Sequence, residues 1–283
     1  MLKTKSSMIL AIGVAATLAT PALAQEIPAI QDVTTTGKFT IASSLSYAPF
    51  EFIDEQGKPT GVDIELATEV AKLMKAELDI VTMPFASQIP SLAAGRIKVA
   101  WASFSVTEER LKQVDFVTFL QAGSVISTKP ELKDKFTSRT SLCGAKVAIQ
   151  TGSAADLAAD KLNSECSAQG LPAVQKSLFP EQKDAIQAVL SGRVEAQLDD
   201  STSSGYYEAV SGGKLVITSE SFYPTPLGVA VAKGDTATAS MLEAALERIM
   251  ANGTYAAVLQ KYHLTASGIS KPVKYTAASQ LSQ

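Results

Sequence analysis

The sequence is poor in the residues that most often carry enzyme chemistry. Its 283 residues contain one histidine, His263, and only two cysteines. A single histidine provides neither a Ser-His-Asp triad nor a cluster of metal ligands. The glycine patterns GxxxxGK and GxGxxG, which hold phosphate groups, do not occur. These absences predict no metal site, no cofactor and no catalytic histidine, and they leave open an enzyme that uses carboxyl groups alone.

Long basic runs are also missing, and the net charge is −3. Proteins that bind nucleic acid need clustered lysine and arginine to meet the phosphates. We therefore expect no nucleic-acid partner. The hydrophobic fraction of 46% is high enough for a folded core, which excludes disorder for the bulk of the chain.

The longest apolar run lies at the start of the chain. Two lysines precede Met8–Leu18, which is too short to span a bilayer comfortably. Ala22-Leu23-Ala24 fits a small-residue cleavage site. This pattern predicts a secretory signal peptide over residues 1–24, cleaved after Ala24, and the short run disfavours a membrane anchor. Because no later segment is long and apolar enough to cross a membrane, we expect a soluble product in the periplasm.

The two cysteines, Cys143 and Cys166, both follow the predicted signal peptide. Exported chains meet an oxidising compartment in which disulfides form and persist. We therefore expect a Cys143–Cys166 disulfide, and two buried free thiols are the alternative.

Two stretches of the chain repeat the order β-α-β-α-β, which is typical of parallel sheets covered by helices. The first has predicted strands and helices in the order Phe39–Ser43, Asp63–Met74, Leu78–Met83, Ser87–Ala94 and Val99–Phe104. We expect Asp63, which follows Gly61, to be the N-cap of its helix. The second has them in the order Lys146–Gln150, Ser153–Asn163, Val174–Phe179, Glu181–Leu190 and Val194–Leu198. Two helices follow, one amphipathic around Met241–Ile249 and one over Tyr255–Tyr262. We predict two α/β lobes with a ligand cleft at the carboxyl ends of the strands.

Polar side chains follow the last predicted strand of the first lobe. Ser103 and Ser105 share one face of that strand, and Arg110 lies one turn into a helix that we expect Thr107 to cap. An arginine at this place can bind a carboxylate through two parallel hydrogen bonds. A solvated helix turn is the alternative for Arg110.

The second lobe offers groups of complementary chemistry. Ser153 begins a helix whose N-terminal N–H groups favour an anion, although an ordinary loop with a capping serine is the alternative. Asp200 ends a strand, where its carboxylate suits an ammonium group. Adjacent residues of a strand point to opposite faces, so Asp199 and Asp200 are not expected to act together. A zwitterion, such as an α-amino acid, would bridge the two lobes.

Three aromatic residues, Tyr47, Phe50 and Phe85, are candidates for lining the cleft. Core packing is the alternative for each of them.

At these residues the chain resembles the periplasmic amino-acid-binding proteins of ABC importers, family 3 of the bacterial solute-binding proteins. The resemblance covers about residues 37–263 and rests on ordered motifs: SYAPFEFIDEQGKPTGVDIELATEVAKLM, IPSLAAGRIKVAWASFSVTEERLKQVDF, KVAIQTGSAAD, LSGRVEAQLDD and NGTYAAVLQKY. It implies two Rossmann-like lobes of the type II periplasmic-binding-protein fold, joined by a hinge of two segments near residues 120–126 and 224–229.

The resemblance also divides the chain. A leader is expected over residues 25–36 and a polar tail over residues 265–283. Lobe 1 is expected over residues 37–122 and 229–264, and lobe 2 over residues 123–228. The LCG…C pattern resembles family members with a disulfide in lobe 2.

The resemblance implies a role for each candidate residue. Arg110 would clamp the α-carboxylate of the ligand, and Asp200 would hold the α-ammonium. The hydroxyls of Ser103 and Ser105 would assist Arg110, and Ser153 would add a donor from the other lobe. The rings of Tyr47 and Phe85 would enclose the ligand side chain. Ser44 stands where binders of basic amino acids have an aspartate, so we expect a polar or neutral ligand, or a close derivative of an amino acid.

The function implied is a monomeric periplasmic binding protein, without a cofactor, that delivers an amino acid to a membrane permease. One alternative is an enzyme on the same fold, similar to periplasmic cyclohexadienyl or arogenate dehydratases. Another is a signalling module, although such modules usually precede a transmembrane helix.

Overall fold

A computed structural model of the protein describes residue 27 and residues 29–282. The predicted signal peptide lies outside the described residues. The helices are α1 Gln31–Thr36, α2 Val62–Leu73, α3 Phe85–Ala93, α4 Glu108–Leu111, α5 Ala154–Ala168, α6 Gln182–Leu190, α7 Ser201–Val210, α8 Thr236–Ala251 and α9 Thr254–Lys261. The strands are β1 Lys38–Ser43, β2 Ser46–Tyr47, β3 Glu51–Ile53, β4 Pro59–Thr60, β5 Glu77–Thr82, β6 Val99–Ser105, β7 Val114–Thr128, β8 Lys146–Gln150, β9 Gln175–Phe179, β10 Ala196–Asp200, β11 Val216–Ile217, β12 Phe222–Ala232 and β13 Gly268–Tyr275. None of the helices in this range combines the length and the apolar character that a membrane span needs.

Most of the strands form one sheet that passes through both lobes. Its order is β5-β1-β6-β12-β7-β10-β8-β9, and β2, β3 and β4 form a small separate sheet. In lobe 1, β1 pairs in parallel with β5 and β6. In lobe 2, β8 pairs in parallel with β9 and β10. The two predicted β-α-β-α-β units therefore form, and the predicted two-lobed α/β fold is confirmed.

Two long antiparallel strands, β7 and β12, connect the lobes. β12 pairs with β6 and with β7, and β7 continues into lobe 2, where it pairs with β10. The predicted crossing segments, residues 120–126 and 224–229, lie inside these two strands. The lobe boundaries given above stay predictions.

Each lobe has its own hydrophobic core. The larger core contains Phe39, Trp101 and Phe119 and belongs to lobe 1. A core in lobe 2 contains Phe136 and Cys166. Cys166 lies on α5 and is joined to Cys143, with their Cα atoms 5.8 Å apart. The predicted disulfide is therefore confirmed, and the free-thiol alternative is wrong.

Two segments are more regular than the sequence predicts. The expected loose leader contains helix α1, whose Val33 is buried against lobe 1. The expected polar tail contains strand β13, which pairs antiparallel with β7. Both elements carry few apolar residues, so their periodicity is too weak to show in the sequence. Their burial comes from the partners that the fold supplies.

A close backbone approach sets the start of α2. The N–H of Val62 donates to the carbonyl of Pro49 at 3.0 Å, and the N–H of Asp63 donates to that of Phe50 at 2.9 Å. Gly61 is the N-cap, with a φ of 116°, so the prediction of Asp63 as N-cap is wrong. A Cβ at Gly61 would overlap the carbonyl oxygen of Phe50. Only glycine permits the approach, which turns Asp63 into the interior of lobe 1.

We expect Gly61→Ala to lower the free energy of unfolding by about 3 kcal/mol or more, because it adds both backbone strain and overpacking. Urea unfolding followed by circular dichroism measures the change. The matched control is Gly205→Ala, inside α7, where a Cβ has open space. That control is expected to be neutral or stabilising by up to about 1 kcal/mol. Equal stability of the two variants would contradict the role given to Gly61.

Candidate functional site between the lobes

A very small cavity, of about 10 Å³, lies between the lobes at the carboxyl ends of their strands. Most of the predicted site residues line it: Tyr47, Phe85, Ser103, Ser105, Arg110, Ser153 and Asp200. Ala102, Gln150 and Ala154 line it as well. Ser44 does not line this cavity. It lies nearby and is nearly buried, at 9% exposure.

Arg110 turns back from the short helix α4 towards the end of β6. The hydroxyl oxygen of Thr107 caps this helix by accepting the N–H of Arg110 at 3.3 Å. The guanidinium donates to the carbonyl of Ser105 at 2.7 Å and, across the cleft, to the carbonyl of Gly152 at 3.0 Å. One side of the guanidinium is therefore fixed to its own lobe, and the other side contacts lobe 2. The alternative of a solvated helix turn is wrong.

The surroundings keep Arg110 charged although it is buried. Burial lowers the pKa of Arg110 to about 10, against the opposing effect of the negative charge of Asp200. Its guanidinium carbon lies 5.5 Å from the ring centre of Phe85 and 5.4 Å from that of Phe104. Ring faces attract a cation at this distance. A buried cation at the mouth of a cleft is suited to bind a carboxylate.

Asp199 and Asp200 converge on one hydroxyl. The Tyr47 hydroxyl is 3.1 Å from Oδ1 of Asp199 and 3.1 Å from Oδ2 of Asp200. Asp200 ends β10 and is also the N-cap of α7, so the chain turns between the two acids. The expectation that they point apart is wrong, because Asp200 lies where the strand turns into α7 and both carboxyl groups reach the same hydroxyl.

Burial governs the charge of these two acids. It raises the pKa of Asp200 to about 6, with the Tyr47 hydrogen bond and the charge of Arg110 acting in the opposite direction. Burial raises the pKa of Asp199 well above its usual range, and the charge of Asp200 raises it further. Asp200 is therefore the more acidic of the two and faces Arg110, whereas burial favours the neutral form of Asp199. Gln182 adds a hydrogen bond to Asp199.

Ser153 and Phe85 complete the two walls of the cavity. Ser153 is the N-cap of α5, and its hydroxyl oxygen accepts the N–H of Asp156 at 3.2 Å. Ser153 is therefore the capping serine that the sequence analysis gave as its alternative, and anion binding at this N-terminus stays a prediction. Phe85 stacks on Phe104 with ring centres 4.7 Å apart, so it both packs into lobe 1 and lines the cavity.

A chain of polar groups runs beside the cavity. The Ser44 hydroxyl donates to Oε1 of Glu51 at 3.1 Å, and the Ser46 hydroxyl lies 3.3 Å from that of Ser44. Ser46 also donates to Glu181, which belongs to lobe 2. On the inner side, Glu51 meets Asp63, and both acids are fully buried.

The sequence did not single out Glu51, Asp63, Ser46 or Glu181. The available signal for Glu51 was the motif PFEF. In that motif the acid stands between two phenylalanines, so it alternates with apolar residues. Asp63 was assigned to a helix cap, because aspartate is a preferred N-cap residue.

Several hydrogen bonds hold the lobes together across the cleft. Besides Arg110 and Tyr47, the Ser203 hydroxyl donates to the carbonyl of Ala48 at 3.1 Å. The polar groups of the cleft therefore satisfy one another in this closed arrangement. A molecule with a carboxylate and an ammonium group matches the charges that face each other there.

Comparison with known proteins relates this architecture to a family. Residues 39–265 match the family described as bacterial extracellular solute-binding proteins, family 3. A protein of Escherichia coli K12 named putative ABC transporter arginine-binding protein 2 is 30% identical over 223 residues, which cover 78% of this chain and 88% of that protein. The histidine-binding periplasmic protein of Salmonella typhimurium is 27% identical, with 80% of this chain and 87% of that protein covered.

Solved structures of amino-acid-binding proteins are similar to this one. A mutant of ArgBP from T. maritima superposes with a TM-score of 0.74 at 30% identity and covers 82% of this chain and 97% of that one. An ancestral amino acid-binding protein, described as a precursor of cyclohexadienyl dehydratase, gives the same TM-score, identity and coverage.

The buried acids predict how stability depends on pH. A carboxyl whose folded-state pKa is raised binds its proton in the folded chain at pH values where the unfolded chain has lost it. The pKa is about 7 for Asp63 and about 6 for Asp200, both above the usual 3.8. We therefore expect the free energy of unfolding to fall as pH rises from about 4 to 7.

Urea unfolding at several pH values measures this slope. Asp200→Asn should reduce the slope between pH 4 and 6 by as much as about 1.4 kcal/mol per pH unit, which is the effect of one proton. The control is Glu55→Gln, an exposed loop acid, which should leave the slope unchanged. A slope that is the same in Asp200→Asn and in the parent protein would contradict the burial of an ionisable Asp200.

Proposed function

The chain belongs to family 3 of the bacterial extracellular solute-binding proteins, and we propose that it binds an amino acid between its lobes and delivers it to an ABC-transporter permease. The observation that carries this proposal is the charge arrangement of the cleft. The guanidinium of Arg110 comes from lobe 1, and the carboxylate of Asp200 faces it from lobe 2. The two charges of an α-amino acid are complementary to this pair.

The proposed ligand replaces contacts that the cleft now makes with itself. Its α-carboxylate takes the guanidinium edge of Arg110 that now donates to the carbonyl of Gly152. The hydroxyls of Ser105 and Ser153 and the N-terminus of α5 lie beside that carboxylate. Its α-ammonium takes the oxygen of Asp200 that now accepts from Tyr47. Each exchange trades a hydrogen bond to a neutral group for one between two charges, which is stronger.

The rings of Tyr47 and Phe85 line the same cavity. We propose that they enclose the ligand side chain. Their positions in lobe 1 support this, since Tyr47 stacks on Phe50 and Phe85 on Phe104. Both rings are therefore held in place before a ligand arrives.

We propose a polar or neutral amino acid, or a close derivative, rather than a basic one. Ser44 brings a hydroxyl to a place where binders of basic amino acids have a carboxylate. That hydroxyl is already bonded to Glu51. The relatives compared above are named for arginine and histidine, so this preference distinguishes the chain from them.

The proposed protein acts by closing around its ligand. Because the groups that meet the ligand come from both lobes, only the closed form makes all of the contacts. The ligand then shifts the population towards that form, with movement at β7 and β12. Docking on a permease, a location in the periplasm and a monomeric state belong to the same proposal.

A screen for bound solutes tests the proposal. Protein without residues 1–24, unfolded and refolded to remove ligand, is heated with each of the twenty amino acids, with ectoine and opines as derivatives, and with prephenate. A ligand at about 1,000 times its dissociation constant adds about 4 kcal/mol of stability. For a chain of this size we expect one amino acid or derivative to raise Tm by roughly 8–16 °C.

The same screen can contradict the proposal. Consumption of prephenate would favour the dehydratase alternative, which the relationship to a dehydratase precursor brings into consideration. A panel with no shift from any amino acid or derivative would reject an amino-acid-binding function.

Substitutions at the charge pair test the site. We expect Arg110→Ala to weaken ligand binding by at least about 100-fold, because it leaves the ligand carboxylate buried without a partner. Asp200→Asn should weaken it strongly through the ammonium. Isothermal titration calorimetry measures both changes. Arg96→Ala, an exposed arginine after α3, is the matched control and should bind like the parent protein. Binding by Arg110→Ala at the parent affinity, in a folded protein, would reject the assigned site.

A further inference from the structure

A second and larger cavity lies between the lobes, beside strand β7. Its volume is about 470 Å³, compared with about 10 Å³ for the cavity at the carboxyl ends of the strands. Helix α7 of lobe 2 forms one wall. Strand β3, helix α9 and the segment that follows α9 form the other wall, in lobe 1. We call this space the hinge cavity, and its lining residues are different from those of the cleft.

Two lining residues place the hinge cavity at the connection between the lobes. The Ser201 hydroxyl oxygen, at the start of α7, accepts the N–H of Gly123 on β7 at 3.4 Å. Ser267 stands next to Gly268, which pairs with Leu120 of the same strand. This part of β7 is the predicted crossing segment. The width of the hinge cavity therefore depends on the angle between the lobes, and the arrangement described here holds it open.

The sequence of α7 leaves this space unfilled. Ser201, Gly205 and Ala209 recur every four residues, so their small side chains share one face of the helix. All three line the hinge cavity. A Cβ at Gly205 would meet open space. Because glycine weakens a helix relative to alanine, α7 gives up helix stability at the place where the cavity lies.

The lining combines aromatic and apolar surface with a positive charge. The rings of Phe52 and Tyr206 come from opposite lobes, and their centres are 6.2 Å apart. Val210 also lines the cavity and is 57% exposed, so apolar surface continues to its rim. Among the described residues, those that line the hinge cavity include Lys261 and no acid. An aromatic body with one negative charge is complementary to such walls.

One buried group of the wall lacks a partner. Thr202 lines the hinge cavity and is only 4% exposed. Its hydroxyl oxygen, Oγ1, has no hydrogen-bond partner among the described residues. A buried hydroxyl without a partner is unfavourable, because it has lost its bonds to water. A carboxylate oxygen in the cavity can accept from this hydroxyl.

Lys261 can take a ligand carboxylate without losing its present partner. Its ammonium donates to Oε1 of Glu65, and the Tyr262 hydroxyl donates to the same oxygen at 2.6 Å. The Lys261 side chain is 59% exposed, so it is free to turn towards the cavity. An ammonium group has three hydrogens to donate, and Glu65 uses one of them.

We propose that the hinge cavity is a second binding site, which takes a small aromatic carboxylate. The ring of the ligand packs on Phe52 and Tyr206, and its carboxylate meets Lys261 and the Thr202 hydroxyl. This site does not depend on the proposed function of the cleft, since such a ligand has no α-ammonium for Asp200. Because both lobes supply the walls, binding here favours the arrangement of the lobes in which the cavity is open.

The experiment compares an acid with the amide of the same shape. Calorimetry gives the dissociation constants of 3-phenylpropionate and 3-phenylpropanamide for the protein without residues 1–24. Both probes carry the ring, and neither has an α-amino group. We expect both to bind, and the acid to bind at least about fivefold more tightly, because only the acid brings a charge to Lys261.

Substitutions in α7 locate the probes. Gly205→Leu places a large side chain in the hinge cavity and should weaken both probes at least about tenfold through steric overlap. Ala209→Phe, at the exposed rim, should act in the same direction and serves as a second variant. The matched control is Ala168→Leu, at an exposed position of α5 in the same lobe, which should bind both probes like the parent protein.

Substitutions of polar groups test the carboxylate contact. Lys261→Met should bring the affinities of acid and amide to within about twofold of each other, because it removes the charge that separates them. Thr202→Val keeps the shape of the side chain and should weaken the acid about threefold. The matched control is Lys72→Met, a lysine that likewise pairs with a glutamate on the surface of lobe 1 and should leave the ratio unchanged.

The proposal is wrong if neither probe binds. It is also wrong if Gly205→Leu and Ala209→Phe bind the acid like the parent protein, since the acid then lies elsewhere, for example in the cleft. An amide that binds as tightly as the acid would overturn the assignment of a carboxylate. The panel of amino acids tests the proposed function separately, so either proposal can fail without the other.

Discussion

The closed cleft depends on the burial of one cation. A guanidinium loses most of its hydration when it is enclosed, and this loss is large unless other groups replace the water. Around Arg110 the replacements are two backbone carbonyls, the faces of Phe85 and Phe104, and the carboxylate of Asp200. One of the carbonyls belongs to Gly152, in the opposite lobe. The lobes must therefore meet for the cation to be fully compensated, which couples the charge of a single side chain to closure of the whole chain.

The acids around this cation are arranged so that few of them are charged at once. Burial favours the neutral form of Asp199 and of Glu51, whereas Asp200 and Asp63 have neighbours that stabilise their charge. In each acid pair, one member is therefore ionised more readily than the other. This division matters for recognition, because a protonated carboxyl donates and an ionised one accepts.

Sequence patterns predicted the fold well because its strands and helices are strongly periodic. The strand Lys146–Gln150 was predicted with its observed limits. The predictions failed where tertiary contacts, rather than local patterns, decide the structure. Strand β13 forms because β7 offers it a partner. Asp63 lies inside lobe 1 because Gly61 allows a backbone approach. Single residues such as Arg110 and Asp200 were found from their position after strands. Pairs such as Glu51 with Asp63 were not, because their members are brought together only by the folded chain.

The distribution of the site over the lobes gives an order to the proposed binding event. Four of the site residues belong to lobe 1: Arg110, Tyr47, Phe85 and Ser103. The groups that hold them lie in the same lobe. Ser105 accepts from the guanidinium, Phe50 and Phe104 stack on the two rings, and Asp63 accepts from the Ser103 hydroxyl. Lobe 1 alone therefore presents a formed surface for a carboxylate and a side chain. Lobe 2 adds the carboxylate of Asp200 and the N-terminus of α5, which meet the ligand only on closure. An empty cleft can also close, through the contacts of Arg110 and Tyr47. The proposed ligand therefore gains its affinity from the difference between ionic and neutral hydrogen bonds, and not from the whole set of contacts.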